Sequence, residues 1–107
     1  MLNIKLTNFF KELIIKEDLI NTGNLLNSVK VFIEYKEYEI NVNIIGKNYL
    51  KYLDAKYKLV DKFINSDIFN EEIAYILLEN SLKEIINIID NNNYNIIEPK
   101  INLFINN

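Results

Sequence analysis

The chain has no cysteine, histidine, tryptophan, arginine or glutamine, and its 107 residues include only two glycines, one proline and one methionine. Without cysteine there is no disulfide framework, no thiolate nucleophile and no cysteine zinc site. Without histidine the commonest general base and the commonest transition-metal ligand are missing too. Asp, Glu, Lys, Tyr and Ser remain available, but losing both residue types favours a non-catalytic role, with no catalytic, metal-binding or cofactor-binding residue expected. No apolar run approaches the ~18 residues of a membrane span. The opening MLNIKLTNFFKELII carries Lys5, Lys11 and Glu12 and no small-residue cleavage site, so it reads as neither a signal peptide nor an anchor. A soluble chain made in the cytoplasm, with no membrane partner, is the expectation.

What is present is an excess of 20 Ile, 19 Asn and 12 Lys, a pattern that reflects an AT-rich coding sequence more than a function. Half the residues are apolar and a quarter charged, as in ordinary globular proteins. A chain of this length makes one domain with one modest core. The net charge of −3 is uneven: residues 1–66 hold ten Lys against eight acids, whereas residues 67–90 hold one Lys against six acids. Such a late acidic helix either orients a partner or is simply a solvated face.

Periodicity predicts an α+β fold. Leu2, Leu6, Phe9, Phe10, Leu13, Leu19 and Ile20 recur at three- and four-residue steps, an amphipathic helix that Asn21, Thr22 and Gly23 should end. The period then becomes two. Val29, Val31, Ile33 and Tyr35 alternate with mostly polar residues, Phe32 being the exception, as do Tyr38, Ile40, Val42 and Ile44, which predicts a β-hairpin pairing 35 with 38, 33 with 40, 31 with 42 and 29 with 44. Two strands alone are marginal, so helices must cover them or another strand, from this chain or a neighbour, must complete them. Leu50, Leu53, Tyr57, Val60 and Ile64 resume helical spacing, Asn65, Ser66 and Asp67 interrupt it, and an apolar helix continues to about Asp90. The expected layout is an N-terminal helix, a hairpin, one or two C-terminal helices within a domain of residues 1–90, and an extended arm over 91–107. That arm is too apolar, with Ile97, Leu103 and Phe104, to be an idle linker. It should fold back on its own domain or add to a neighbour's strand edge.

Candidate chemistry is thin. The paired acids Glu71 and Glu72 diverge by about 100° on a helix and fit better as helix-start residues complementing the dipole. Neither glycine has the companions of a phosphate-binding loop. Lys47, Lys51, Lys58 and Lys62, interleaved with Tyr49, Tyr52 and Tyr57, would share one helical face and form a workable nucleic-acid surface. The lack of Arg, the net negative charge and the nearby Asp54 and Asp61 argue against direct nucleic-acid binding.

Residues 22–29, Thr-Gly-Asn-Leu-Leu-Asn-Ser-Val, stand at the predicted passage from helix to strand. Thr22 can cap a helical turn, Gly23 can permit a chain reversal, Leu25 can anchor it, and Ser28 can satisfy backbone groups as the strand begins at Val29. Any helix–turn–strand junction can use these residues. The segment also resembles the Thr-Gly-x-Leu-x-x-Ser-(Ile/Val) signature of the neck, or tail-completion, proteins of tailed bacteriophages. Tyr49-Leu50-Lys51-Tyr52-Leu53-Asp54 is similar to a Tyr-x-x-Tyr-(Val/Leu)-(Glu/Asp) segment found after the hairpin in that family. The chain departs from it in lacking the Gly-Thr-rich loop that usually follows, and Asp61-Lys62-Phe63-Ile64 stands where proline-containing sequence is common. The resemblance implies a non-enzymatic structural virion protein, made in the host cytoplasm and located at the head–tail interface. It implies a ring oligomer that contacts itself and portal-side or tail-side connector proteins, with no cofactor. Tyr49, Tyr52, Ile97, Leu103 and Phe104 are the expected subunit or partner contacts. The alternative expectation is a small acidic inhibitory or immunity-type module that binds another protein through its acidic helix.

Overall fold

In the computed structural model the described residues are 1–17, 23–36, 39–91 and 100–106, with side chains described to residue 80 and again from residue 100. Their elements are α1 (Ile4–Lys16), α2 (Gly23–Ser28), β1 (Lys30–Lys36), β2 (Glu39–Ile45), α3 (Tyr49–Tyr57), α4 (Leu59–Ile64), α5 (Asp67–Asn91) and β3 (Lys100–Asn106). The α+β class and the order of helix, hairpin, later helices and C-terminal strand follow the sequence pattern.

Helix α1 starts two residues later than its apolar period suggests because the chain before it is used otherwise. Asn3 caps it, its Oδ1 accepting from the Leu6 amide at 2.8 Å. The three residues ahead run antiparallel to β1: the Asn3 amide donates to the Val31 carbonyl at 2.8 Å and the Ile33 amide to the Met1 carbonyl at 2.9 Å. Leu2 thereby sits opposite Phe32. Leu6, Phe10 and Ile14, one per turn, are buried on the inner face of α1. Thr7 is buried among them, and its Oγ1 accepts from the Val31 amide at 2.9 Å, tying helix to strand. Thr7→Val keeps the shape but leaves that buried amide unpaired, so it should cost about 1–2 kcal/mol in urea unfolding, with Thr7→Ser restoring most of the loss.

The hairpin differs from its expected register. Tyr35 pairs with Ile40, Ile33 with Val42 and Val31 with Ile44, two positions along from the pairing that the alternation suggested. Because the side-chain period is two, a shift of two leaves every residue on its own face; apolar alternation fixes the parity of a register and not the register. Val29, Val31, Ile33, Ile40, Val42 and Ile44 are accordingly all buried as expected. Lys36 pairs with Glu39 at the end of the ladder, and Tyr38 lies outside the described residues.

Strand β3 runs parallel to β2, Glu39 facing Lys100 and Ile45 facing Asn106, so the sheet order is β1-β2-β3. Over Lys100–Asn106 the C-terminal segment therefore folds back onto its own hairpin edge, one of the two arrangements its apolar content allowed. Ile97 lies outside the described residues. A parallel neighbour needs a long crossover, and the three helices α3, α4 and α5 provide it.

Three helices, where one or two were expected, follow the hairpin because the chain turns at Lys58. Its backbone takes the left-handed conformation (φ 53°, ψ 48°), and its amide donates to the Asp54 carbonyl at 2.8 Å. Asp54 then caps the next turn, its Oδ1 accepting from the Val60 amide at 2.8 Å. The second break falls where the polar residues indicated: Ser66 Oγ accepts from the Phe69 amide at 3.1 Å, capping α5.

The sheet and helices form two layers around one core. Phe63 of α4 sits at its helical end, edge-on to Phe10 (centroids 5.3 Å apart), against Phe69 (4.9 Å) and near Phe9 (6.1 Å). These rings join α1, α4 and α5. Leu50, Leu53 and Leu59 complete the helical side.

Candidate interaction surfaces

The junction that the sequence singled out is a structural node. Leu25 is buried as the anchor of α2, and Val29 is fully enclosed at the entry to β1. Ser28 Oγ donates to the Leu25 carbonyl at 2.6 Å and accepts from the Lys47 amide at 3.1 Å, so it links the start of the hairpin to its end. Thr22 lies outside the described residues. Gly23 is the first residue of α2, a Cβ there would meet nothing within 4 Å, and the reversal expected just before it lies outside the described residues. The glycine the fold requires is Gly46, where a Cβ would stand 2.7 Å from Leu50 Cδ2. Leu50 is fully buried at the start of α3, and its Cβ and Cγ lie 3.4 and 3.5 Å from the same point. The only sequence signal for this was a second isolated glycine ending a strand.

Sheet pleating divides the strands into a covered face and an outer face. On the outer face Leu2, Phe32, Asn43 and Phe104 stand in one row across the neighbouring strands. None of the described residues of β1, β2 and β3 on that face is buried, and Phe104 is 48% exposed. Asparagines organise its polar part: Asn102 Nδ2 donates to Asn41 Oδ1 at 3.0 Å, and Asn106 Nδ2 to Asn43 Oδ1 at 3.2 Å. Strand β3 is the last in the sheet order, with half-exposed Ile101 along it. A strand in that position offers backbone donors and acceptors to another strand. Leu103 instead packs half-buried against the core, because it shares the face of its partner Val42. Phe104 is thus accessible, whereas Leu103 packs on its own domain.

Tyr49 and Tyr52 are both 55% exposed and stack on one another, their centroids 5.4 Å apart. The Lys56 ammonium lies 5.2 Å from the centre of the Tyr57 ring, and its pKa is raised, first by a side-chain hydrogen bond with Tyr57 and then by the charges of Tyr57 and Tyr52. The continuous Lys–Tyr helical face does not form. Lys47 precedes α3, the left-handed turn at Lys58 redirects the chain, and Lys62 on α4 is ion-paired with Glu17 at the end of α1. The kink was not visible in spacing because Lys is an ordinary helix former.

Glu72 is a helix-start acid engaged by its own domain, bridging to Lys5 at 3.3 Å and accepting from Asn3 Nδ2 at 3.2 Å. Two shallow depressions flank α1. One is lined by Met1, Leu2, Asn3, Ile33, Tyr35 and Ile76, the other by Phe9, Leu13, Lys16, Glu17, Lys62 and Ser66. In the second, Lys62 is ion-paired with Glu17, and Ser66 Oγ donates to the Phe63 carbonyl at 2.7 Å and accepts from the Phe69 amide at 3.1 Å. Among the described residues no helix is long and apolar enough to cross a membrane, and no group of three or more acidic side chains is placed to hold a metal ion. What the surface offers is apolar and aromatic contact area together with a strand edge. No protein-family model, curated protein or solved structure matches the chain.

Proposed function

We propose that this chain is a structural protein of a tailed-phage particle, forming a ring in the head–tail connector or completing the tail, without catalysis. The observation that carries the proposal is the position of the signature segment. Residues 23–29 form the link from the helical N-terminus to the first strand, with Leu25 and Val29 buried and Ser28 bonded to Leu25 within α2 and to Lys47 just beyond β2. The mechanism is geometric. A β3 edge and an outer sheet face carrying Phe32 and Phe104 meet a different surface on the next copy, and repetition of that heterologous contact closes a ring. Tyr49 and Tyr52 serve the portal-side or tail-side partner, since paired exposed aromatics give contact area at low entropic cost.

The test mixes the purified chain with its cognate connector proteins and particles lacking it, and reads light scattering and electron microscopy. Decoration of the neck, abolished by Phe104→Lys with the fold intact by circular dichroism, is the expected result. A chain that stays monomeric in the mixture and decorates nothing rules the proposal out.

A second reading, an inhibitory or immunity-type binding module, is favoured by exposed Asp67, Glu71 and Glu79 on α5. It requires that neutralising Glu71 and Glu79 weaken a salt-sensitive complex with a basic protein partner; unchanged binding would count against it.

A further inference from the structure

We infer that β3 is an exchangeable strand: the edge of β2 that it fills is a binding site for β3 of a second copy of this chain, in the register seen within one chain. The strand is weakly anchored. None of its seven residues is buried, and it pairs with β2 alone. Every buried apolar side chain among the described residues lies between Leu6 and Ile73, so β3 supplies none of the enclosed core. Its departure gives up one ladder and the half-burial of Leu103 and Ile105.

The site that it fills is selective. β2 is the middle strand, with Ile40, Val42 and Ile44 fully enclosed, and the parallel register runs along its edge from Glu39 opposite Lys100 to Ile45 opposite Asn106. On the outer face Asn102 Nδ2 donates to Asn41 Oδ1 at 3.0 Å and to Glu39 Oε2 at 3.4 Å, and Asn106 Nδ2 donates to Asn43 Oδ1 at 3.2 Å. On the covered face Leu103 stands beside Val42 and Ile105 beside Ile44. A strand that fits must therefore run parallel to β2, with amides at both ends of one face and branched apolar residues on the other. A second copy of this chain carries that pattern. It needs no new complementarity, which is why swapping an identical element readily makes oligomers.

Distance permits the exchange. Residues 92–99 join α5 to β3, and eight residues at full extension reach about 30 Å. The molecule measures 57 Å along one axis but 23 and 21 Å across it, so a copy lying alongside presents its β2 edge within that span. The crossover is also longer than a return within one chain demands. Over its 25 residues α5 rises about 37 Å, against about 23 Å for a seven-residue strand. Because the same contacts form either way, concentration sets the balance between a chain's own strand and an exchanged one. A tethered strand meets its own site at an effective concentration on the order of millimolar, and copies held side by side compete with that. The inference concerns the chain itself and does not rest on the connector reading.

The absence of cysteine makes the test clean. Asn41 and Asn102 are paired across β2 and β3, and a strand spacing of about 4.8 Å lies within the Cα separation that a disulfide bridges. Full-length Asn41→Cys and Asn102→Cys, one of them tagged to differ in mass, are unfolded together in urea, refolded and held in a thiol–disulfide buffer. At about 1 mM total protein a large fraction should be joined 41 to 102 between chains, falling severalfold at about 0.1 mM. Asn102→Cys mixed with Glu12→Cys, on the exposed side of α1, sets the background and should stay roughly tenfold lower, since its thiols meet only by collision. The double variant Asn41→Cys/Asn102→Cys should close on itself in dilute solution. Asn43→Cys with Phe104→Cys, also paired across the two strands, repeats the test if either first variant folds poorly. A link between 41 and 102 no more abundant than background overturns the inference, as do links chiefly between like variants, or a double variant that stays open when dilute. Particle decoration is read separately, so failure here leaves the connector proposal to its own test.

Discussion

Phe63→Ala should lower unfolding stability by about 3–5 kcal/mol, the usual cost of emptying a buried aromatic site. The position is fully enclosed, and its ring is the shared neighbour of Phe9 and Phe10 on α1 and Phe69 on α5. Removing it leaves a cavity at the point where three helices meet. The walls belong to separate elements, each also anchored elsewhere, so they cannot collapse freely into the space. The total stability of a domain this size is about 5–15 kcal/mol, so the variant should melt well over 10 °C below wild type. Half-buried Phe9 provides the comparison, because Phe9→Ala removes one side of the cluster and should cost about 1–2 kcal/mol. Urea midpoints for the two variants check the order. Equal effects would mean that α4 does not dock through Phe63.

The two glycines should respond in opposite directions. Gly46→Val places branched atoms where even a Cβ lies 2.7 Å from Leu50 Cδ2. Leu50 is itself fully buried, and the Gly46 amide donates to the Asn106 carbonyl at 3.1 Å. Relief requires Leu50 to leave its buried position or α3 to shift, so the expected loss is about 1–3 kcal/mol, the usual range for overpacking. Gly46→Ala should fall between the two. Gly23→Ala fills open space at a helical position and should be neutral or stabilising by about 0.4–1 kcal/mol, through reduced freedom of the unfolded chain. Thermal melts of the three variants decide the matter. If Gly23→Ala is stable yet fails to decorate particles, Gly23 matters for a contact and not for the turn.

Periodicity made the element types and the core faces readable. The three- and four-residue steps of α1 and the alternation in β1 and β2 identify which side of each element is buried, because the side-chain directions of helix and strand are local properties of the backbone. Local hydrogen-bonding chemistry was equally readable at Ser66, where a short polar side chain precedes a helix, and at Ser28. The exposure of the residues singled out as contacts was only partly legible. Tyr49, Tyr52 and Phe104 are exposed as expected, but Leu103 is drawn inward by its alignment with Val42.

By itself, then, the sequence determined the α+β class, the inward residues of β1 and β2, and the lack of cysteine and histidine chemistry. Each depends only on residue type and on spacing within a few positions. Tertiary structure decided the hairpin register, the addition of Met1–Asn3 to one edge of the sheet and of β3 beside β2, the turn at Lys58, and which glycine the packing requires. Those outcomes depend on what meets across long stretches of chain: strand partners separated by some sixty residues, or a side chain four positions on whose freedom is set by the rest of the core. Parity can be read along one strand, but a partner can be chosen only when both strands are present.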